Sequence, residues 1–379
     1  MSFAELWDSL LPVGRGPKTG GYRRYSFTEA DAACREWFCD HARQRSLRLQ
    51  TDGNGNLWAH WDVPAAWPSD SMIVTGSHLD SVPDGGAYDG PLGVVSGFAA
   101  IDLLRARGFV PARPIAVAAF CEEEGGRFGV AEAMFSEGLD PGGIGPADER
   151  LSRVATYVEL HIEQGRALAG LGAAVGIAEG IWPHGRWRLD FTGRADHAGT
   201  TRLPDRRDPM LPYAATVLAA RQAAAEHAAL ATFGKVIAEP GAANAICSQV
   251  RAWLDARAPD ETTLHRMVER IEEAAHGAAA DQGVEVEVRL ESFTPRVEFD
   301  PQLRSRLAAA LAGRGITAPA LPTGAGHDAG ILAARLPAAM LFVRNPSGVS
   351  HSPAEHADLA DCEAGVVALA AVLEELAGR

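Results

Sequence analysis

The chain has 379 residues, 47% of them apolar and 22% charged, with a net charge of −14; this exceeds one ordinary core and implies two domains in a soluble globular protein. The negative balance argues against nucleic acid or an anionic membrane as partner. Cys34, Cys39, Cys121, Cys247 and Cys362 are scattered with no CxxC pair, which excludes a disulfide scaffold, and the absence of a leader-like N-terminus or a spanning apolar run makes a cytoplasmic setting the expectation.

In chain order, residues 27–46 carry a helical stripe of Ala33, Trp37, Phe38 and Ala42 behind Thr28 as N-cap. Residues 47–61 alternate like a strand pair, with Asp52-Gly53-Asn54-Gly55 as the turn. The apolar run Met72-Ile73-Val74 predicts a buried strand, and a helix is expected over 94–106. Further buried strands are expected at 115–120, 156–160 and 338–343, with helices at 301–314 and 361–376. Strand–helix alternation with near-continuous apolar strands predicts an α/β fold with a mostly parallel sheet flanked by helices. The middle of the chain differs. Strands at 187–192, 233–238, 250–256 and 284–290 and helices at 208–229 and 261–280 give the order β-α-β-β-α-β of a small split βαβ sandwich. The expected division is therefore 1–178 and 295–379 as one domain, with 179–294 inserted.

The residues that bear chemistry gather at strand ends. The stretch GSHLDSVPDGGAYDGPLGVVSG, residues 76–97, follows the first buried strand. His78 and Asp80 are two apart and point the same way on extended chain. This fits a metal-binding imidazole with a carboxylate to orient it, or simply a polar strand end with a glycine turn. Asp89 sits in a loop with Gly85, Gly86, Gly90 and Gly93. The second strand ends in Glu122-Glu123-Glu124, the third in His161-Ile162-Glu163-Gln164-Gly165, and the fourth leads to Ser350-His351-Ser352-Pro353. Parallel sheets bind ligands beyond the carboxyl ends of their strands, where His78, Asp89, Glu124, His161 and His351 all fall. Such a nitrogen–oxygen set suits zinc, manganese, cobalt or nickel. Five ligands are economically used by two metals bridged by a carboxylate, about 3.5–4 Å apart. Glu123 then remains as a general base for water and as acid to a leaving nitrogen.

HLD, the glycine-bounded Asp89, EEG-RF, HIEQG, DHAGTT, GAGHDA and SHSPAEH together resemble the di-metal amidohydrolases of the metallopeptidase-like family, in the branch of N-carbamoyl-L-amino-acid hydrolases and allantoate amidohydrolases. The resemblance runs along nearly the whole chain in order. It implies one metal on His78, Asp89 and His161, a second on Asp89, Glu124 and His351, and Glu123 as base. It further implies that 179–294 is a lid that also makes a homodimer. There His197 would steady the oxyanion, from its own subunit or the partner's, and Asn244 and Arg257 would bind the substrate carboxylate. Gln164, Gly326 and His327 would line the same pocket. Taken singly, each has a plainer reading: Asn244 a turn residue, Arg257 a surface charge, His327 a helix cap. Between Phe128 and Leu139 the chain departs from the family, running at once from Val130 into Ala131-Glu132-Ala133-Met134 where a longer loop and helix are usual.

The expected substrate is a small anionic ureido acid, cleaved at a C–N bond with release of ammonia and carbon dioxide. Allantoate is favoured, because Gly20-Gly21-Tyr22-Arg23-Arg24 and Asp205-Arg206-Arg207-Asp208 resemble that branch. An N-carbamoyl-L-amino acid is the alternative. An acylamino-acid deacylase or dipeptidase, or a non-catalytic metal-dependent binding protein, stands further off. His60, His227, His265 and His276 are expected in surface or core roles, and His184 in packing or substrate contact.

Overall fold

The computed structural model describes residues 1–63, 71–125, 134–135 and 141–378. The departure after Phe128 falls mostly on residues outside these. The chain divides into two compact units, residues 1–180 with 298–379, and 181–297.

The first unit is built on a nine-stranded sheet. Its strands include β1 Arg48–Thr51, β2 Leu57–Trp61, β3 Met72–His78, β4 Ile115–Phe120, β5 Val154–Ile162 and β6 Val175–Ile181. The order is β1, β2, β4, β3, β5, Ala338–Val343, β6 and Val297–Glu298, with Ala320–Thr323 beside β6. The central pairings, β4 with β3, β3 with β5 and β5 with Ala338–Val343, are parallel. The flanking ones, β1 with β2, β2 with β4, and β6 with Ala338–Val343, are antiparallel. Every residue of β3 and of Ala338–Val343 is buried, as apolar runs without alternation require.

Helix α1 (Phe3–Leu10) opens on a capping box between Ser2 and Glu5. Helix α2 (Glu29–Gln44) starts where Thr28 accepts from the Asp31 amide. In the β1–β2 turn the Asp52 carboxylate accepts from the Asn54 and Asn56 amides and the Trp58 indole. Helix α3 (Pro91–Ala106) starts at a proline, three residues earlier than its apolar pattern indicates. It is buried on almost all sides, lying against β3 and the C-terminal helix Leu359–Ala377. Leu92, Val95, Phe98, Leu160, Leu341, Leu369 and Leu373 belong to one apolar core there.

Apart from the short strands Asp196–His197 and Ala245–Ile246, which pair with each other, and a single 3-10 turn at Leu203–Asp205, the second unit has the element order β-α-β-β-α-β. Its four strands lie in the order Glu285–Thr294, His184–Thr192, Gln249–Arg257, Leu230–Glu239, all antiparallel. Strand Gln249–Arg257 alternates between buried and half-buried residues along its whole length, so one face carries the core. Met210–Glu226 and Glu261–Asp281 contribute Ala220, Ala223, Leu264 and Met267 to that core. The first of these helices begins at Met210, and Asp208 accepts from the Met210 amide. All five cysteines are free thiols. Among the described residues no helix is long and apolar enough to cross a membrane.

Candidate metal centre

Four neighbouring parallel strands and their continuations bring the polar residues to one end of the sheet. In register, His78 lies opposite Phe120 and His161 opposite Phe342, so the chain leaves all four strands at a common level. Asp89 is the meeting point. Its Oδ1 lies 3.1 Å from His161 Nε2 and 3.7 Å from His78 Nε2, and its Oδ2 lies 3.3 Å from His351 Nε2. His351 Nε2 is also 3.7 Å from Glu124 Oε1, and His78 Nε2 is 3.9 Å from Glu123 Oε2. Among the described residues four groups have donor atoms within 4.8 Å of one another, and two of them share Asp89: His78–Asp89–His161 and Asp89–Glu124–His351; the others are His78–Glu123–Glu124 and Glu159–His161–His327. The His78 and His161 side chains are 2% and 1% exposed, whereas that of His351 is 52% exposed. The cluster therefore opens on the His351 side.

The imidazoles are aimed by their other nitrogens. His161 Nδ1 lies 2.8 Å from the Ile162 carbonyl, which can only accept, so Nδ1 carries the proton and Nε2 faces Asp89. His78 Nδ1 faces the Asp80 carbonyl at 3.2 Å and its carboxylate at 3.3 Å, with the same result. Asp80 does a second thing: its carboxylate accepts from the amides of Glu123, at 3.3 Å, and Glu124, at 3.0 Å. One side chain thus orients a histidine and fixes the turn that presents both glutamates. Gly90 is required where it stands. Its φ is +85°, and a Cβ there would run into the His78 ring.

Charge in the cluster is concentrated. Burial pushes Glu123 up to about 7, with Glu124 and Asp80 adding to it, and raises Glu124, with Asp89 beside it. Burial works against His78 and His161, yet Asp80 and Asp89 raise the first well above its ordinary value, and Asp89 raises the second to about 9. Asp89 is held well below the usual carboxylate range, against its burial, by His161, His351 and His78. Among the described residues, Asp80, Asp89, Glu123 and Glu124 form ion pairs with histidines alone. Glu124 Oε1 is buried without a hydrogen-bond partner. A buried carboxylate oxygen left so is costly unless a cation meets it. The donor set, the shared Asp89 and this orphaned oxygen fit divalent metal, whose binding would displace the imidazole protons.

Other residues singled out in the sequence fall in different places. Gln164 Nε2 donates to Asp89 Oδ2 at 2.6 Å and lies 3.5 Å from His351 Nε2. His327 packs edge-on against the His161 ring at 4.4 Å between centroids. It occupies the N-cap position of Asp328–Leu332, but its side chain makes no capping bond and its Nε2 is buried without a partner. Gly326 faces open space. His197, Asn244 and Arg257 belong to the second unit. His197 Nδ1 accepts from the Gly199 and Thr200 amides, at 3.0 and 3.2 Å, which leaves Nε2 as an N–H donor. The Asn244 carbonyl accepts from the Ala198 amide, linking the two loops. Arg257 pairs with Asp255 two residues back, at 2.7 Å. His60 is buried, and His265 stacks on Phe293.

Sequence reasoning missed three buried acids around the cluster. Glu159 accepts from the Ser77 hydroxyl at 2.7 Å and the Ala329 amide at 2.8 Å, and burial raises its carboxyl. Asp328 is raised well above its ordinary value by burial beside Glu159. Glu355, 5% exposed, accepts from the amides of Tyr88 and Asp89. The available signal was a charged residue inside an apolar strand, two before His161, and a second acid four residues after His351.

The pattern of peptidase family M20/M25/M40 matches residues 74–375. The N-carbamoyl-L-amino acid amidohydrolase of Geobacillus stearothermophilus is 33% identical, with 98% of each chain covered. The allantoate amidohydrolase of Bacillus subtilis strain 168 is 30% identical, with 87% of each covered. The crystal structure of an amidase of the hydantoinase/carbamoylase family from Burkholderia vietnamiensis is similar with a TM-score of 0.85 at 28% identity, covering 99% of this chain and 98% of that one. The chain belongs to peptidase family M20/M25/M40, within the group of amidohydrolases that these relatives represent.

Proposed function

We propose that the protein is a di-metal hydrolase of a ureido C–N bond, with allantoate as first substrate and N-carbamoyl-L-amino acids as the alternative. The observation that carries this is the pair of ligand groups sharing Asp89, with the Glu123 carboxylate beside them. His78, Asp89 and His161 would hold one cation, and Asp89, Glu124 and His351 the other. Bound there, two such cations would lower the pKa of a water and polarise the substrate carbonyl. Glu123 takes the water proton as oxygen attacks the ureido carbon, then delivers it to the nitrogen as the C–N bond breaks. The carbamate half decomposes to ammonia and carbon dioxide, and the amine half leaves. Asp80 keeps the His78 ring and the Glu123 backbone fixed while the proton moves.

For the second unit we carry forward the reading that 179–294 is a lid with a dimer-forming surface. His197 would donate from Nε2 to the developing oxyanion, and Asn244 and Arg257 would hold the substrate carboxylate. The proton arrangement of His197 supports the first role. Exposed Leu211, Leu218, Leu230, Val236 and Leu290 support the dimer. The two arginine stretches that favour allantoate are engaged locally: Arg24 donates to Val13 and Leu10 carbonyls, Arg23 pairs with Asp84, and Arg206 donates to Thr201 and Ala198 carbonyls. The substrate order is therefore decided by assay. Ammonia release is measured on allantoate, several N-carbamoyl-L-amino acids and an acylamino acid, before and after exhaustive chelation. Ureido substrates alone should release ammonia, with activity lost on chelation and regained with more than one divalent metal. Full turnover in a verified metal-free sample would overturn the reading.

A further inference from the structure

Glu355 lies in neither ligand group, yet it is tied to the loop that carries Asp89. The turn after His351 folds it back: the Glu355 amide donates to the Ser352 carbonyl at 3.0 Å. Its Oε1 then accepts from the Tyr88 amide at 2.8 Å and the Asp89 amide at 3.0 Å, joining segments 267 and 266 residues apart in sequence. Its Oε2 lies 3.3 Å from the Ser350 hydroxyl, which is also 3.4 Å from Asp89 Oδ2. The side chain is 5% exposed. Gly86 leaves room for it, since a Cβ at that position would coincide with the Glu355 side chain. His351 itself has a φ of +53°, a backbone state a non-glycine residue holds only where its surroundings impose it. A buried carboxylate is tolerable here because amides and a hydroxyl meet it.

We propose that Glu355 is a positioning residue for the metal centre: by clamping the Tyr88 and Asp89 amides and Ser350, it fixes the bridging Asp89 against His351 and so sets the separation of the two metal positions. The proposal rests on the two-metal reading above. It assigns Gly86 a part as well, as the residue whose missing side chain admits the clamp.

The test is calorimetric titration of the metal-free, full-length chain with Mn²⁺, read beside its thermal unfolding without metal. Wild type is expected to take up two ions. Glu355→Ala is expected to weaken uptake by about 10–100-fold, the usual effect of losing a group that orients a ligand. Glu355→Gln keeps an oxygen that accepts the same two amides, and should retain two ions and most of the affinity. Should Glu355→Ala not fold, Glu355→Asp replaces it, because a carboxylate one methylene shorter cannot reach both amides. Wild-type affinity in the alanine variant, or in the aspartate variant where that is used, would overturn the proposal. So would a glutamine variant as weak as those, since charge and not amide clamping would then be operative. A wild-type chain that binds no manganese would instead sink the two-metal reading, and the clamp with it.

Discussion

The two units use the same charged residue types in opposite ways. On the sheet of the second unit, carboxylates sit two residues from arginines along one strand face: Asp190 with Arg188 at 2.8 Å and Asp255 with Arg257 at 2.7 Å. Glu287 and Arg289 repeat the arrangement. These pairs neutralise themselves locally; Asp255 and Glu287 are partly exposed, while Asp190 is buried with one oxygen unpartnered but has the Arg188 guanidinium on the other. At the strand ends of the first unit, Asp80, Asp89, Glu123 and Glu124 are largely buried, and among the described residues their only ion-pair partners are histidines. An ion pair completed within the chain asks for nothing more. A buried acidic cluster whose charged partners are imidazoles alone is suited to a cation from outside.

The sharpest way to break this contrast is to change the acids that differ in role. Glu123→Gln is expected to keep metal and fold while lowering kcat by about a hundredfold or more, as loss of a general base does. Glu124→Gln should instead lose metal from the group it shares with Asp89 and His351. Metal analysis showing the two variants exchanged in behaviour would displace the base by one residue. Next in size, Gly90→Ala pushes a methyl into the His78 ring at a φ of +85°; metal affinity should fall by about 10–100-fold, as when a ligand loses its orientation. An unchanged titration would show that the His78 ring can move aside without cost to the site.

Arg257→Lys probes the second unit. Its guanidinium is already paired with Asp255, and a substrate carboxylate would share that fork through two parallel hydrogen bonds that an ammonium cannot reproduce. The expected loss is about tenfold in kcat/KM, or about 1.4 kcal/mol, with metal content unchanged. A substrate analogue lacking the carboxylate should be poor and little affected. Equal losses on both would make the residue structural. The smallest effect is expected at Arg289, whose pair with Glu287 is solvent-exposed: Arg289→Ala should leave metal content unaltered and shift the melting temperature little, and less still at high salt.

What the sequence made legible follows from how each feature is encoded. Strands 115–120 and 338–343 agree with the structure to the residue, because fully buried parallel strands are written as unbroken apolar runs. The coincidence of His78, Glu124, His161 and His351 at strand ends was readable for the same reason. Strand β6 escaped notice since Gly176, Glu179 and Gly180 break its pattern, and it is a strand through its pairing with Ala338–Val343. Helix α1 escaped despite the Ser2–Glu5 capping box in its sequence. Glu355 was unreadable as a clamp, because its partners are backbone amides more than two hundred and sixty residues away and no side-chain pattern records them. The pairing of Arg257 with Asp255 was written at period two, but a strand-face spacing alone does not distinguish a mutual pair from two surface charges.

On the proposed function, Asp89 joins two cation sites in the first unit. Counting bound metal in the purified chain and in Asp89→Asn, each stripped and reloaded with Zn²⁺ or Mn²⁺, tests it most directly. Two ions per wild-type chain and weakened uptake at both positions in the variant are expected, because His161 and His78 face one oxygen of Asp89 and His351 the other. One ion in the wild type, or two held undiminished by Asp89→Asn, would contradict it.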